Sequence, residues 1–318
     1  MKEIHIQELA GFRFGHAQNH EALTGCSVII CEKGAVGGVE VRGGSPGTRE
    51  TDALHAENLV EEVHGIFLSG GSAFGLDVGT GMMRFLEGKD VGFDVRVARV
   101  PIVSGAILFD LYPGDPNVRP DSQMGYDACM HAFSGETFLQ GSVGAGTGAT
   151  VGKCLGYDFA MRGGIGSYAM EIGKLQIGAV VAVNAFGDII DPNTNQIIAG
   201  AFDESKETFL KSEEQLLNQL ENQATNRFSG NTTIGTVVTN AKLTKSQANK
   251  IAAIAHDGFA RTIRPSHTLV DGDTLFTLST NQIETDLNAL SMLASQVVAK
   301  AAVNAVKNAG NQIQMGLS

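Results

Sequence analysis

The sequence predicts a large, layered protein of mixed strands and helices, and three observations support this. The chain has 318 residues, of which 43% are hydrophobic and 18% charged, so it can bury a substantial core. It contains 40 Gly but only 7 Pro, which is typical of tight turns and close backbone contacts and not of a disordered tail. Short runs of strand type alternate with segments of helical spacing. A chain of this length forms either one large body or two ordinary domains.

The first half of the chain is predicted to form short strands between glycine turns. Apolar residues at helical spacing predict further elements, and a glycine loop at 70–75 is predicted to lead from a strand into a helix. The predicted strands cover 26–31, 34–42, 97–103 and 106–111, and the predicted helices cover 51–63, 76–87 and 124–132.

In the second half, a β-branched run predicts a long strand over 175–184. The composition then changes, and residues 203–226 predict an acidic amphipathic surface helix that runs into a polar link at 223–231. This link is the candidate break in the chain. The remaining predicted elements are strands over 232–239 and 274–278 and helices over 245–262 and 284–309.

Charge and hydropathy exclude several kinds of partner. The formal net charge is −11 and no basic run occurs, so no nucleic acid is expected to bind. Residues 1–6 lack an apolar signal region, and no apolar run is expected to approach the roughly 18 residues that span a bilayer. A cytoplasmic location without membrane contact is therefore predicted.

No metal and no cofactor is predicted. His16 and His20 lie four residues apart, as zinc ligands on a helix do, but the neighbouring Gly15 and Asn19 disfavour a helix and no third ligand follows. The cysteines show no CxxC spacing, so they are expected to be reduced and buried. They are Cys26, Cys31, Cys129 and Cys154.

The second glycine loop matches a nucleotide-binding pattern only loosely. Residues 144–149 fit GxGxxA, but the required strand, helix and acidic residue around it are not evident. A phosphate loop ending at Gly152-Lys153 also fails, because position 147 is Thr and the lysine is followed by Cys154.

A conventional serine hydrolase remains open as an alternative. Ser72 could act with His256 or His267 and with Asp271. The Gly-x-Ser-x-Gly elbow is absent, since Ser72 lies in the sequence GGSAF of residues 70–74. Such triads are recognised by geometry and do not require the elbow.

The junction between the polar link and the next strand is the first informative segment. There Gly230 and Asn231 precede Thr232 and Thr233 at the start of a buried-looking strand. A hydroxyl strained against the preceding carbonyl can attack it in an N→O acyl shift, and ester hydrolysis then leaves Thr with a free α-amine. That amine can act as base for its own hydroxyl. The alternative is an ordinary turn that ends at a strand.

The second informative segment is His267 to Thr274, in which Asp271 and Asp273 flank a glycine. Two close carboxylates have unequal pKa values and can orient or accept protons around a hydroxyl or amine nucleophile. The alternative is a polar turn or a fragment of a calcium loop, although the other ligands of an EF-hand are absent.

Taken together, these segments resemble the self-processing aminopeptidases and amidases, which include the L-aminopeptidase/D-amidase-esterases, the β-aminopeptidases and the nylon-oligomer hydrolases. The resemblance covers nearly the whole chain. Its motifs are residues 45–52 (SPGTRETD), 64–76, 100–103 (VPIV), 109–111 (FDL), 114–116 (GDP), 143–148 (VGAGTG), 231–233 (NTT), 255–258 (AHDG) and 271–274 (DGDT).

The resemblance implies an α+β fold, a four-layer α-β-β-α sandwich of the N-terminal-nucleophile hydrolase type, as a single domain over 1–318. It implies a precursor that cuts itself between Asn231 and Thr232 into fragments 1–231 and 232–318. Thr232 would then be the nucleophile that hydrolyses small peptides, amino-acid amides or esters, or linear amide oligomers. The resemblance also implies a homo-oligomer, a tetramer of processed pairs. A relative that does not process itself and serves as a binding or scaffold protein is the alternative.

The resemblance also assigns roles to residues around the nucleophile. Asn184 would donate to the oxyanion, Lys153 would lie beside the nucleophile, and Tyr112 would contact substrate, with Tyr126 as a second candidate. The glycine loops 70–75 and 144–148 would bring backbone amides close to the site.

Two aspartates would complete this site. Asp271 and Asp273 would orient Thr232 and its ammonium group. A Thr nucleophile with two aspartates resembles the nylon-oligomer branch, whereas the β-aminopeptidase branch has a Ser nucleophile with Ser and Glu in the carboxylate places.

Overall fold

The computed structural model describes residues 1–221 and 230–310. Within them, the strands are β1 (Lys2–Ile4), β2 (Arg13–Asn19), β3 (Thr24–Val41), β4 (Thr48–Arg49), β5 (Val63–Ser69), β6 (Phe93–Asp94), β7 (Arg99–Val100), β8 (Val103–Ile107), β9 (Thr150–Val151), β10 (Met161–Arg162), β11 (Gly164–Ile172), β12 (Leu175–Asn184), β13 (Asp188–Asp191), β14 (Gln196–Ala199), β15 (Phe202–Asp203), β16 (Thr208–Phe209), β17 (Thr232–Ala241), β18 (Ile263–Arg264) and β19 (Thr274–Ile283). The helices are α1 (Val78–Glu87), α2 (Ser122–Ser134), α3 (Ser212–Glu221), α4 (Lys245–Ala255), α5 (Asp257–Thr262) and α6 (Leu287–Asn308).

One long strand links the main sheet together. The strand order is β1-β11-β12-β17-β19-β3-β5-β8-β4, with β2 beside β3. The first part of the 18-residue β3 pairs with β2 and β5, and its last part pairs with β19. The pairs β17–β19 and β5–β8 are parallel and the other neighbours along this path are antiparallel. The sheet is therefore mixed, and β3 belongs to both of its halves.

The buried side chains show how these halves are layered. Ile66 of β5 and Phe276 of β19 lie in one apolar cluster between the two halves of the sheet. Successive side chains of a strand point to opposite faces, so Phe67 packs on the other side, against Met82 of α1. On the far side of the other half, Val298 of α6 lies in a cluster with residues of β12 and β17. The α+β class and its α-β-β-α order of layers are thus confirmed.

The helix α6 corrects one expectation from the sequence. Leu287–Asn308 has 22 residues, and its most apolar 18-residue window has a mean hydropathy of 1.4, so by length and composition it could cross a membrane. The expectation that no apolar run approaches such a length is therefore wrong. In the structure, 67% of its most apolar window is buried inside the protein, where α6 packs on β11 and β12. A buried core helix satisfies the same criterion.

The predicted helix over 51–63 is also wrong. Residues Asp52–Leu54 form a single 3-10 turn, and the chain continues irregularly to β5. Leu59, an apolar residue within that predicted helix, is 92% exposed. Val63 instead pairs with Ala35 of β3. Strand pairing over a long sequence distance has overridden a local helical spacing.

Other predicted elements begin or end at different residues. The predicted strands over 97–103 and 106–111 are replaced by β7 and β8, and the predicted helix over 245–262 is divided into α4 and α5. In place of the first part of the helix predicted over 203–226, the strands β15 and β16 pair with each other. The observed helix, α3, begins only at Ser212, whose backbone N–H and hydroxyl both donate to Asp188. The rest of that helix and most of the polar link, residues 222–229, lie outside the described residues.

Candidate active site

Three chain segments bring the predicted site residues to one edge of the central strands. Asn184 is the last residue of β12 and pairs directly with Thr232, the first residue of β17. The turn with Asp271 and Asp273 immediately precedes β19, which runs parallel to β17. All four side chains are buried. Ends of neighbouring strands thus collect residues that lie far apart in the sequence.

The peptide bond between Asn231 and Thr232 lies at the centre of this cluster. The Thr232 hydroxyl donates a hydrogen bond to the carbonyl oxygen of Asn231. The same oxygen accepts from the backbone N–H of Gly272 at 2.9 Å. Asn231 also forms a parallel bridge with Asp271. The hydroxyl and the carbonyl that a self-cleavage would join are therefore in contact.

Lys153 lies on one side of this bond and is fully buried. Its Nζ donates to the side-chain oxygen of Asn184 at 2.8 Å, to the backbone oxygen of Asn184 at 2.9 Å and to the carbonyl of Gly230 at 3.4 Å. Burial lowers the pKa of Lys153 from 10.5 to about 7, and the nearby charges of Asp271 and Asp110 oppose this shift. The ammonium can therefore lose its proton near neutral pH.

The side chain of Asn184 is oriented by contacts at both of its polar atoms. Its Oδ1 accepts from the backbone N–H of Thr150 at 3.0 Å, and its Nδ2 donates to Phe109 O at 2.9 Å. The Nδ2 also donates to Gly230 O at 3.2 Å. Asn184 therefore faces the carbonyl one residue before Asn231, whereas an oxyanion role in self-cleavage would need contact with Asn231 itself.

Asp273 lies on the other side of the bond and is held by three donors. Its Oδ1 accepts from the backbone N–H of Thr233 at 2.7 Å, immediately after the predicted nucleophile. Its Oδ2 accepts from Nδ1 of His267 at 2.8 Å and from the backbone N–H of His267 at 3.1 Å. His267 has a φ of +58°, a left-handed conformation that is uncommon outside glycine. These two bonds hold it there.

Asp271 is held in a similar way within the same turn. Its Oδ2 accepts from the hydroxyl of Thr268 at 2.5 Å and from the backbone N–H of Thr268 at 2.9 Å, while Oδ1 accepts from the backbone N–H of Phe186 at 3.4 Å. Burial raises the pKa of Asp271, and the neighbouring charge of Asp273 raises it further. Burial and the neighbouring carboxylate therefore both favour the protonated form of Asp271.

Asp110 is a buried neighbour of Lys153 to which the sequence assigned no role. Its carboxylate accepts from the Thr24 hydroxyl at 2.7 Å and from the Gly71 N–H at 2.6 Å. Burial raises its pKa to about 6. A Cβ at Gly70 would lie 2.0 Å from Asp110 Oδ2, so the first glycine loop closes over this carboxylate. The two adjacent glycines are the signal that could have indicated such a close approach.

Of the two candidate tyrosines, Tyr112 lies towards the site. Its half-exposed ring stacks on Tyr157 with centroids 4.2 Å apart and an interplanar angle of 15°. The Tyr157 ring centroid is in turn 5.9 Å from the Lys153 ammonium. Tyr126 instead packs against Phe85 in the layer of α1 and α2, with ring centroids 5.2 Å apart.

The alternative serine triad does not form among the described residues. The backbone N–H of Ser72 donates to Leu108, and neither candidate histidine contacts the Ser72 hydroxyl. Nε2 of His256 interacts with the carbonyl of Glu40 at 3.0 Å, whereas His267 is paired with Asp273. The two histidines and Asp271 of that hypothesis therefore have other partners.

The second glycine loop is used in packing. The backbone N–H groups of Gly144 and Ala145 donate to the side chains of Gln18 and Ser27, both at 3.0 Å. Nδ1 of His16 lies 2.8 Å from the same Ser27 hydroxyl. Within residues 1–221 and 230–310, no group of three or more His, Cys, Asp or Glu is placed to hold a metal ion, and the four cysteines are buried and form no disulfide.

The layered fold, with its two halves of sheet between layers of helices, is one that solved aminopeptidase structures share. Solved structures with this fold align with nearly the whole chain. The L-aminopeptidase D-Ala-esterase/amidase of Ochrobactrum anthropi, described as a variant of the Ntn hydrolase fold, covers 95% of this chain and 85% of its own, at a TM-score of 0.69 and 17% identity. A β-aminopeptidase of Burkholderia sp. covers 95% and 85%, at a TM-score of 0.65 and 19% identity.

The chain belongs to peptidase family S58, whose model matches residues 5–314. It is 39% identical to an uncharacterized aminopeptidase of Mycobacterium leprae over 89% of this chain and 80% of that protein. It is 31% identical to the 6-aminohexanoate-oligomer endohydrolase of Kocuria sp. over 94% and 85% of the two chains. The protein is therefore an enzyme, a hydrolase that acts on amide bonds, as the resemblance implied.

Proposed function

We propose that this hydrolase cuts itself between Asn231 and Thr232 and then cleaves amide or ester bonds through an acyl-Thr232 intermediate. The fragments would contain 231 and 87 residues of the 318. The observation that carries the proposal is the contact between the Thr232 hydroxyl and the carbonyl of the preceding residue. A turn that only ended at a strand would not require buried donors and carboxylates around that bond.

The self-cleavage step is an N→O acyl shift followed by hydrolysis. Thr232 Oγ attacks the carbonyl carbon of Asn231, and an O–C bond forms while the C–N bond to Thr232 breaks. The hydroxyl proton ends on the departing nitrogen. Water then hydrolyses the ester, which restores the hydroxyl and leaves a carboxylate on Asn231 and a free amine on Thr232.

In the processed enzyme, the free amine of Thr232 would act as base for its own hydroxyl. The Asp273 carboxylate, which accepts from the N–H of Thr233, would orient the start of β17. The Asp271 carboxylate would orient the amine of Thr232 when that amine is protonated to ammonium. After Gly230 moves away from the site, Lys153 and Asn184 would lose its carbonyl and could donate to the oxygen of a bound substrate.

The substrate class in this proposal is a small peptide, an amino-acid amide or ester, or a linear amide oligomer. The names of the two relatives, an aminopeptidase and a 6-aminohexanoate-oligomer endohydrolase, support it, since both act on amides. The pairing of a Thr nucleophile with two aspartates favours the oligomer branch. We also propose that the processed pairs form a homo-oligomer, which size-exclusion chromatography with light scattering would test. The proposed location of this homo-oligomer is the cytoplasm.

Intact-mass spectrometry of the purified protein tests the proposal directly. We expect two chains, the smaller beginning at Thr232, whereas Thr232→Ala should remain one uncut, inactive chain. Thr233→Val is the matched control, because the adjacent Thr233 hydroxyl is buried without a hydrogen-bond partner in the described part of the chain. It should process and turn over substrate normally. An active, uncut Thr232→Ala would disprove the proposal, and an uncut, inactive wild type would favour the scaffold alternative.

A further inference from the structure

The Asn231 carbonyl has an unexpected donor. Asn184, which the resemblance implied as an oxyanion donor, and its neighbour Lys153 both donate to the carbonyl of Gly230. The Asn231 oxygen, where negative charge would develop during self-cleavage, accepts instead from the Thr232 hydroxyl and from the backbone N–H of Gly272. Once the hydroxyl attacks, the N–H of Gly272 is the donor that remains.

We propose that the backbone N–H of Gly272 is the oxyanion donor of self-cleavage, an inference that rests on the proposed function above. Its N···O distance of 2.9 Å to Asn231 is already that of a good hydrogen bond. The bond strengthens as the carbonyl becomes an oxyanion, in a site from which the buried neighbours exclude water. Gly272 is thus a catalytic residue through its main chain.

The peptide that carries this N–H is fixed from both ends. The backbone oxygen of Asp271 accepts from the N–H of Ser45 at 2.8 Å, and that of Asp273 accepts from the N–H of Arg42 at 3.0 Å. The carbonyl of Gly272 itself accepts from the Thr274 hydroxyl at 3.0 Å. The donor therefore needs no reorganisation when the charge appears, which is the condition for effective electrostatic stabilisation.

The absence of a side chain at this position has its own reason. A Cβ built on Gly272 would lie 2.8 Å from Thr232 Oγ1 and 2.7 Å from the backbone oxygen of Ser45. Both contacts are shorter than Cβ atoms normally make, so any larger residue would push the hydroxyl or the turn out of place. Glycine at 272 lets the donor and the nucleophile approach the same carbonyl.

This assignment separates the donors of the two reactions. The N–H of Gly272 donates to the carbonyl of the bond to be cut, whereas Lys153 and Asn184 donate to Gly230 until Gly230 moves away and then donate to substrate. A change confined to the Gly272 N–H should therefore slow self-cleavage, even in a protein whose Lys153 and Asn184 are intact.

The test removes this one N–H by translating the full chain with glycolic acid in place of glycine at 272, which converts the amide to an ester. We expect self-cleavage, followed by gel electrophoresis and intact mass, to slow by roughly 10²- to 10³-fold. The same exchange at Gly125 is the matched control, because its N–H donates at 3.0 Å to the backbone of Asp121 at the start of α2. That ester should process at the wild-type rate.

Processing of the 272 ester at the wild-type rate would overturn the inference while leaving the proposed function intact. A wild type that never cuts itself would instead remove the proposed function. Because an ester could also weaken folding, Gly272→Ala is a second variant, compared with wild type by thermal unfolding. We expect a folded Gly272→Ala chain, which keeps the N–H, to process at least about 10-fold more slowly because its Cβ displaces the turn or the Thr232 hydroxyl. Wild-type processing by it would contradict the close approach of Gly272 to Thr232 and Asn231 that the inference requires.

Discussion

The two sides of the Asn231–Thr232 bond are built in different ways. The lysine side, which consists of Lys153, Asn184 and Asp110, joins residues from three distant parts of the chain. Its single cation is satisfied by neutral carbonyl oxygens. The carboxylate side, residues 267–273, is one short turn in which backbone N–H groups and local side chains hold the two aspartates.

The two sides therefore differ in how well their buried charges are stabilised and in how they respond to pH. Neutral acceptors compensate a buried ammonium poorly, so the pKa of Lys153 falls to about 7 and its charge responds to pH. Backbone donors compensate carboxylates well and fix their geometry. The lysine side therefore carries a buried cation whose charge changes near neutral pH, and in the proposed function the carboxylate side would orient Thr232.

The largest effect is expected from Lys153→Met, which removes the cation and three hydrogen bonds from the lysine side. We expect kcat/KM on a small amide substrate to fall by roughly 10³-fold or more. Lys245→Met is the matched control, since Lys245 is also buried and donates to the carbonyl of Asn58 at 2.7 Å, in the outer helical layer. Equal losses in the two variants would show that burial alone, and not the site, explains the effect.

On the carboxylate side, Asp273→Asn should have the next largest effect. One of the two oxygens of Asp273 would be replaced by the N–H₂ of the Asn side chain. That group would face the donor of either Thr233 or His267, and the donor would lose its acceptor in a buried site. We expect about 1–3 kcal/mol less stability towards urea and roughly 10²-fold slower self-cleavage. Asp257→Asn, at an exposed carboxylate on α5, is the control. Unchanged self-cleavage in Asp273→Asn would remove the positioning role of this side.

The titration of Lys153 should be visible in protein stability. Its folded-state pKa of about 7 lies below the unfolded value of 10.5, so the unfolded chain binds more protons between those pH values. The free energy of unfolding should therefore gain a positive contribution as pH rises through this window. We expect wild type to show this rise relative to Lys153→Met in urea titrations made across that range. Parallel curves for the two proteins would contradict it.

A smaller effect is expected from Asp110→Asn, which keeps the shape of the side chain but removes a charge that raises the pKa of Lys153. The pKa of Lys153 should then fall below about 7. We expect the inflection of the pH–rate profile to move to lower pH by up to about one unit, with kcat little changed. An unmoved inflection would mean that the profile reports a group other than the lysine.

The smallest effect is expected from Ser72→Ala. Ser72 belongs to the glycine loop that closes over Asp110, but its hydroxyl contacts neither candidate histidine among the described residues. We expect kcat/KM within about 2-fold of wild type, because removing an exposed or half-exposed polar group usually costs little. A loss as large as that of Lys153→Met would restore the conventional serine hydrolase.

Local patterns in the sequence predicted the parts of this protein that depend on local structure. The strand over 175–184 has the predicted bounds, because its β-branched residues and the polar Asn184 at its end favour that structure directly. The start of β17 at Thr232 was predicted in the same way. The four layers and the roles of the site residues followed only from the resemblance. Packing between separate segments does not produce a recognisable pattern within the sequence of any one segment.

Contacts over long sequence distances account for what was missed. Asp110 is one aspartate after an apolar run, and only the folded chain brings Thr24 and Gly71 to it. His267 was considered as the base of a triad, but its left-handed backbone turns it towards Asp273. Gly272 was treated as a turn residue, and its contact with Asn231 depends on the parallel pairing of β17 and β19.

The position of β17 and β19 has a consequence for the protein after the proposed cut. Both strands come from the last 87 residues, yet they lie between β12 and β3 of the first 231. The same 87 residues supply α4, α5 and α6, the helices that pack on that side within residues 1–221 and 230–310. The two polypeptides would therefore stay interleaved as a single cooperative unit, one particle in native mass spectrometry and two in denaturant, and neither would be expected to fold alone.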